Sequence, residues 1–229
     1  MTKEISAVIK QVATTISPDV EGVYDSVNDR TNICNTKWMR VGQVVADANN
    51  DLYRITEIEY DEWVKWVAVD PANNNDLEGI ITLPSVEWVT GTQISANREW
   101  TISSPNISNK LPLIWLLEVI KMRKFGIESV NDWECDLRIF FLDQTNMAQY
   151  YTADHRNLVM YPMEKLCQEF LNVIDNDASF ARYDSYELVT FSRFGSEQKD
   201  GMFANILDAN LSGVELRIRL VKYKANCIC

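Results

Sequence analysis

The spacing of apolar positions changes character along this chain, and each change marks an expected element. Ile5, Val8, Ile9, Val12 and Ile16 recur at intervals of three and four, with Thr2 placed to cap and Pro18 just beyond. That spacing predicts an amphipathic helix over 3–16 whose apolar stripe covers the sheet formed by the second half of the chain. A polar linker follows. Between residues 36 and 102 the period shortens to two, in runs at 42–47, 52–58, 63–69, 79–83, 86–89 and 93–102 separated by Asn, Asp and Gly turns. Short strands at this spacing predict a small barrel or sandwich, with an SH3-like barrel as the leading candidate.

The pattern changes again after this module. Residues 111–118 are apolar nearly all round, which predicts a buried helix with Pro112 in its first turn and Gly126 as its stop. Cys135, Leu137, Ile139 and Phe141 alternate with Asp136 and Arg138, the signature of a strand over about 135–142. Met163, Leu166, Cys167, Phe170, Leu171 and Ile174 form one stripe, so 162–174 is the expected core helix, extending back toward Thr152 with a kink at Pro162. Strands over 187–194 and 213–223 close the chain. In the second, Val214, Leu216, Ile218 and Leu220 face one way and Glu215, Arg217 and Arg219 the other, which implies one covered and one polar face. The expected class is α+β: a mixed or antiparallel sheet packed by helices, from residues 1–35 and 103–229, with an inserted Trp-rich β module at 36–102.

A length of 229 residues with 46% hydrophobic positions is ample for a packed core. There is no apolar run of membrane-spanning length and no signal-peptide core at the start, so a soluble chain without an export signal is expected. Five scattered cysteines fit reduced thiols better than a disulfide framework. The 33 acidic residues against 22 basic ones give a net charge of −11, which repels phosphate backbones and argues against gripping nucleic acid. DNA sliding past such a surface without being held is compatible with it.

No residue cluster has the types and spacing of a catalytic or cofactor site, and no cofactor is expected. The single histidine, His155, has no second histidine for a metal and no motif-embedded nucleophile beside it. Asp132, Glu134 and Asp136 would line three carboxylates along one face of a strand, as a hard divalent cation prefers, although a solvated face in an acidic chain is the simpler reading. Glu57, Glu59, Asp61 and Glu62 read as a solvated hairpin tip. Cys227 and Cys229 lack the further ligands that zinc needs. Of the seven tryptophans, Trp38, Trp63, Trp66, Trp88 and Trp100 concentrate in or beside the β module. Trp63 and Trp66, three apart, point to opposite sides of a strand, leaving one of them a candidate interface anchor or sugar-stacking platform.

The order of helix, β segment, apolar Leu111-Pro112-Leu113-Ile114-Trp115-Leu116-Leu117-Glu118, strand, core helix with Tyr161-Pro162-Met163, and closing strands through Asn210-Leu211-Ser212-Gly213-Val214-Glu215-Leu216 resembles neck and tail-completion proteins of tailed bacteriophages. It is most similar to those of crAss-like phages infecting Bacteroidales. The likeness covers residues 1–30 and 105–223, with the β module as an addition. It implies a tail-terminator-like body and a non-enzymatic virion protein forming a homo-oligomeric ring, a connector or tail terminator at the head-tail junction. Its implied partners are other copies of itself, the portal or adjacent neck rings, and tail proteins. No membrane and no specific nucleic acid are implied, though DNA passes through such a ring. On that reading Trp63, Trp66, Glu215, Arg217 and Arg219 are the candidate interface residues. Two rival classes are a metal-dependent hydrolase using Asp132, Glu134 and Asp136, and a host-facing glycan- or protein-binding module.

Overall fold

The computed structural model describes residues 2–74, 76–103, 110–125, 132–146, 149–181, 183–197, 203–207 and 209–223. It is an α+β fold, mostly sheet. Helix α1 (Thr2–Thr15) leads into β1 (Asp19–Asp25), β2 (Arg30–Asn32), β3 (Val44–Asp47), β4 (Leu52–Glu59), β5 (Trp63–Ala68) and β6 (Gly79–Thr82). These six strands close into a barrel in the order β1-β2-β5-β4-β3-β6. The barrel thus begins well before residue 36, because the linker expected after α1 supplies β1 and β2, and β1 pairs with β6 to seal it.

Beyond Thr82 the chain leaves the barrel. Strand β7 (Glu87–Gly91) joins the second sheet, and α2 (Gln93–Ser103) is a helix where a strand was expected. The Thr92 hydroxyl accepts from Ser95 N at 3.3 Å and its carbonyl accepts from Ala96 N at 2.9 Å, starting the helix, while Ala96 and Trp100, four apart, are the buried positions among its described side chains. There follow β8 (Leu113–Leu117), β9 (Lys121–Phe125), β10 (Asp132–Gln144), α3 (Thr152–His155), a π-helical turn (Arg156–Met160), α4 (Tyr161–Asn176), β11 (Tyr186–Phe191), β12 (Gly195–Glu197), β13 (Phe203–Asn205) and β14 (Leu211–Lys222). The second sheet runs β11-β14-β10-β8-β7, with β9 also pairing β10.

The expected helix over 111–118 is therefore a strand, entered through a cis Leu111–Pro112 bond; the expected stop at Gly126 lies outside the described residues. Its continuous apolar run has a physical cause. β8 lies between β10 and β7 with both faces covered: Ile114 and Leu116 enter the main core, while Leu113, Trp115 and Leu117 enter a second one. A strand buried on both sides shows no polar alternation.

The two cores divide the sheet. The main core holds the stripe of α1, the α4 residues Met163, Leu166, Cys167, Phe170 and Ile174, the barrel interior, and Cys135, Leu137, Ile139, Phe141, Val214, Leu216, Ile218 and Leu220. The smaller core lies on the opposite face, where α2 and the segment around the β12-β13 hairpin cover Trp115, Phe140, Leu142 and Leu211. Trp115 stacks on Phe140 at 5.1 Å between centroids, and Phe194 meets both edge-on. Only part of the face expected to be polar is therefore open.

Candidate functional site

Polar side chains lock the barrel onto the body. Arg40, in the loop before β3, places Nε 2.9 Å from Asp143 Oδ2 and donates from Nη2 to Oδ1 at 3.2 Å. Asp143 faces the core at the end of β10 and is only 2% exposed. Burial pushes its carboxyl above the ordinary range, against the opposing pull of Arg40 and the Gln144 amide.

At the tip joining β4 and β5, Glu57, Glu59 and Glu62 are exposed as the acidic sequence suggests, but Asp61 is turned toward the body. Asp61 accepts from Thr36 N at 3.1 Å and from the Lys165 ammonium. Burial opposes ionisation there, but the Lys165 and Thr36 hydrogen bonds win and hold the Asp61 carboxyl below its usual range. Beside it the Tyr60 ring packs on Tyr161 at 4.3 Å, and its hydroxyl donates to the Asn157 carbonyl. The helix leaves that carbonyl open for a reason. Tyr161 N bonds five residues back to Arg156 O, and the next donor in that π-pattern would be residue 162, which is a proline without an N–H. The irregularity expected at Pro162 is thus a widened turn before it, completed by a barrel side chain.

The open part of the second sheet carries a ladder of charges. Across the register from β9 to β11, Arg123 stands opposite Glu134, Asp136 opposite Arg219, Arg138 opposite Arg217, and Arg217 opposite Glu187. Arg123 bonds Glu134 at 3.1 Å and Asp136 at 3.0 Å, Arg219 donates to Asp136 at 2.8 Å, and Arg217 reaches Glu187 at 3.2 Å. Below them Glu215, with a side chain 0% exposed, accepts from Arg217 at 3.0 Å and from Arg138. Burial works against its charge, yet the two guanidinium groups outweigh that and keep its carboxyl below the ordinary range. For Asp136 the Arg219 hydrogen bond is the main cause of a lowered value. A shallow depression of about 750 Å³ overlies this ladder, edged by Tyr183, Tyr186 and Tyr223.

This arrangement decides several expectations. Glu134 and Asp136 do share a face, but two arginines neutralise them, and Asp132 stands opposite Phe125 at the start of the strand. Among the described residues no three His, Cys, Asp or Glu side chains are grouped to hold a metal. Glu215 is too deeply buried to touch a neighbour, so only Arg217 and Arg219 of that triplet reach solvent. Trp66 is likewise no anchor: it lies inside the barrel, donating to Thr31 Oγ1 at 2.8 Å. Trp63 is the half-buried member, flanked by Arg30 at 5.2 Å and Lys65 at 5.7 Å from its centroid.

His155 has a serine at hand, Ser212, at 3.0 Å. Ser212 donates its hydroxyl proton to the Ser192 carbonyl at 2.7 Å, so the imidazole donates to Ser212 instead of activating it, and the hydroxyl is fully buried. Cys135 and Cys167 are buried thiols, pushed up by desolvation to about 11 and about 12; Cys34 is exposed, and Cys227 and Cys229 lie outside the described residues.

Sequence reading missed Arg123 as a ladder member because the apolar run before it masked β9, and it missed Arg40 and Lys165 because their partners lie about a hundred residues away. No helix among the described residues is long and apolar enough to cross a membrane. No family model, curated protein or solved structure matches the chain.

Proposed function

We propose that this chain is a structural virion protein that forms a homo-oligomeric ring at the head-tail junction of a tailed phage, as connector or tail terminator between portal and tail. The observation that carries the reading is the charge ladder on the open sheet face. Its carboxylates are matched by arginines on neighbouring strands, which suits a contact surface. The closed barrel, an SH3-like module on this reading, supplies a second surface carried rigidly by the Arg40–Asp143 and Asp61–Lys165 pairs. The net charge of −11 would keep a channel from holding the DNA that passes through it. Deleting the gene from its phage tests the proposal: filled heads without attached tails are expected, whereas normally tailed, infectious particles would overturn it.

A further inference from the structure

We infer that the neighbouring copies join by strand addition, β11 of one subunit pairing antiparallel with β7 of the next; this rests on the ring reading above. The second sheet ends in β11 on one side and β7 on the other, and among the described residues each pairs on one flank only. On β7, Glu87 N donates to Pro112 O and Gly91 O accepts from Glu118 N, so these alternate positions face β8 and the backbone groups of Trp88 and Thr90 face outward. Free edges of this kind are templates for another strand.

Strand direction selects the pairing. β7 is parallel to β8, which is antiparallel to β10, then β14, then β11, so β7 and β11 run in opposite directions. A rotation about an axis along the strands preserves direction. Copies related that way bring β11 beside the next β7 antiparallel, a heterologous contact able to close into a ring with no free edge.

Side chains then limit the register. Tyr186 and Leu188 pair with Ile218 and Leu216 and so lie on the main-core face, yet they are 46% and 38% exposed. Trp88 and Thr90, paired with Ile114 and Leu116, lie on the same face, and both Trp88 Nε1 and Thr90 Oγ1 are buried without a partner. Keeping that face continuous requires partners of equal parity. Setting Glu187 against Glu87 would oppose like charges. Leu188 opposite Trp88 avoids this, placing Tyr186 by Thr90, Glu187 by Val89 and Val189 by Glu87.

The test is native mass spectrometry and negative-stain imaging of the full chain, with Leu188→Lys, and non-reducing electrophoresis of Tyr186→Cys/Thr90→Cys in a Cys34→Ser background beside each single-cysteine control. Expected are rings for the unaltered chain, at least a tenfold weaker assembly for Leu188→Lys with an unchanged melting temperature, and a ladder of linked subunits from the double-cysteine chain alone. Rings that survive Leu188→Lys and fail to cross-link would overturn the strand pairing and leave the ring reading standing. Closed dimers would point to β11 pairing with itself and overturn it too. An unaltered chain that stays monomeric would overturn both.

Discussion

Gly213 is the position where one added carbon is expected to cost most. It stands opposite Leu142 in the ladder between β10 and β14, at φ +156°, and a Cβ there would lie 1.9 Å from the Phe141 carbonyl oxygen, 3.0 Å from its carbon and 3.1 Å from Leu142 Cα. All three are backbone atoms of the central strand, so no side chain can swing away. Gly213→Ala must part the two strands, adding about 1–3 kcal/mol of backbone strain to about 1–3 kcal/mol of overpacking. The sum, about 2–6 kcal/mol, lowers the melting temperature of a chain this size by roughly 4–24 °C. Gly42→Ala is the internal control. Gly42 also has a positive φ, +84°, but nothing within 4 Å of its Cβ, so only the conformational cost of about 1–2 kcal/mol applies. Calorimetry on both variants separates sterics from conformation. If Gly213→Ala melts no lower than Gly42→Ala, the close approach of the strands is wrong.

Arg40→Met leaves the buried Asp143 carboxylate unpaired and should cost about 3–5 kcal/mol in urea unfolding; Arg40→Met combined with Asp143→Asn should recover part of it. Asp143 opposes the usual acid trend: its folded value is raised, so its contribution to stability declines as pH rises from its ordinary carboxylate value through the raised one. Glu215→Gln should cost about 1–2 kcal/mol at neutral pH, discounted because its arginines are 45% and 42% exposed. The Glu215 folded value is lowered, so its stabilisation is complete above the ordinary Glu range and is lost as pH falls through the lowered one; the gap between wild type and variant should close on acidification. A thiol reagent followed by peptide mapping should label Cys34 rapidly in the folded protein and Cys135 and Cys167 only on unfolding; fast labelling of Cys167 would contradict its burial against α4's neighbours.

Local repetition was enough to read some elements from the chain alone. The stripe of Ile5, Ile9 and Val12, the stripe from Met163 to Ile174, and the alternation through β10 and β14 each repeat within a few residues, so periodicity alone locates α1, α4 and both long strands. The same alternation put Arg217 and Arg219 on the open face and correctly made Trp63 and Trp66 point apart. Tertiary structure decided the rest. β8 looked helical because a strand covered on both faces carries no alternation, and α2 looked extended because, among its described side chains, only Ala96 and Trp100 are buried. Barrel closure depends on β1 meeting β6 some sixty residues later, a pairing that no local period encodes. The acids of β10 read as a solvated face, or less simply as a cation site, and only the structure showed β9 and β14 bringing Arg123 and Arg219 across the ladder, since strand neighbours are chosen by the packing of whole faces and not by sequence proximity.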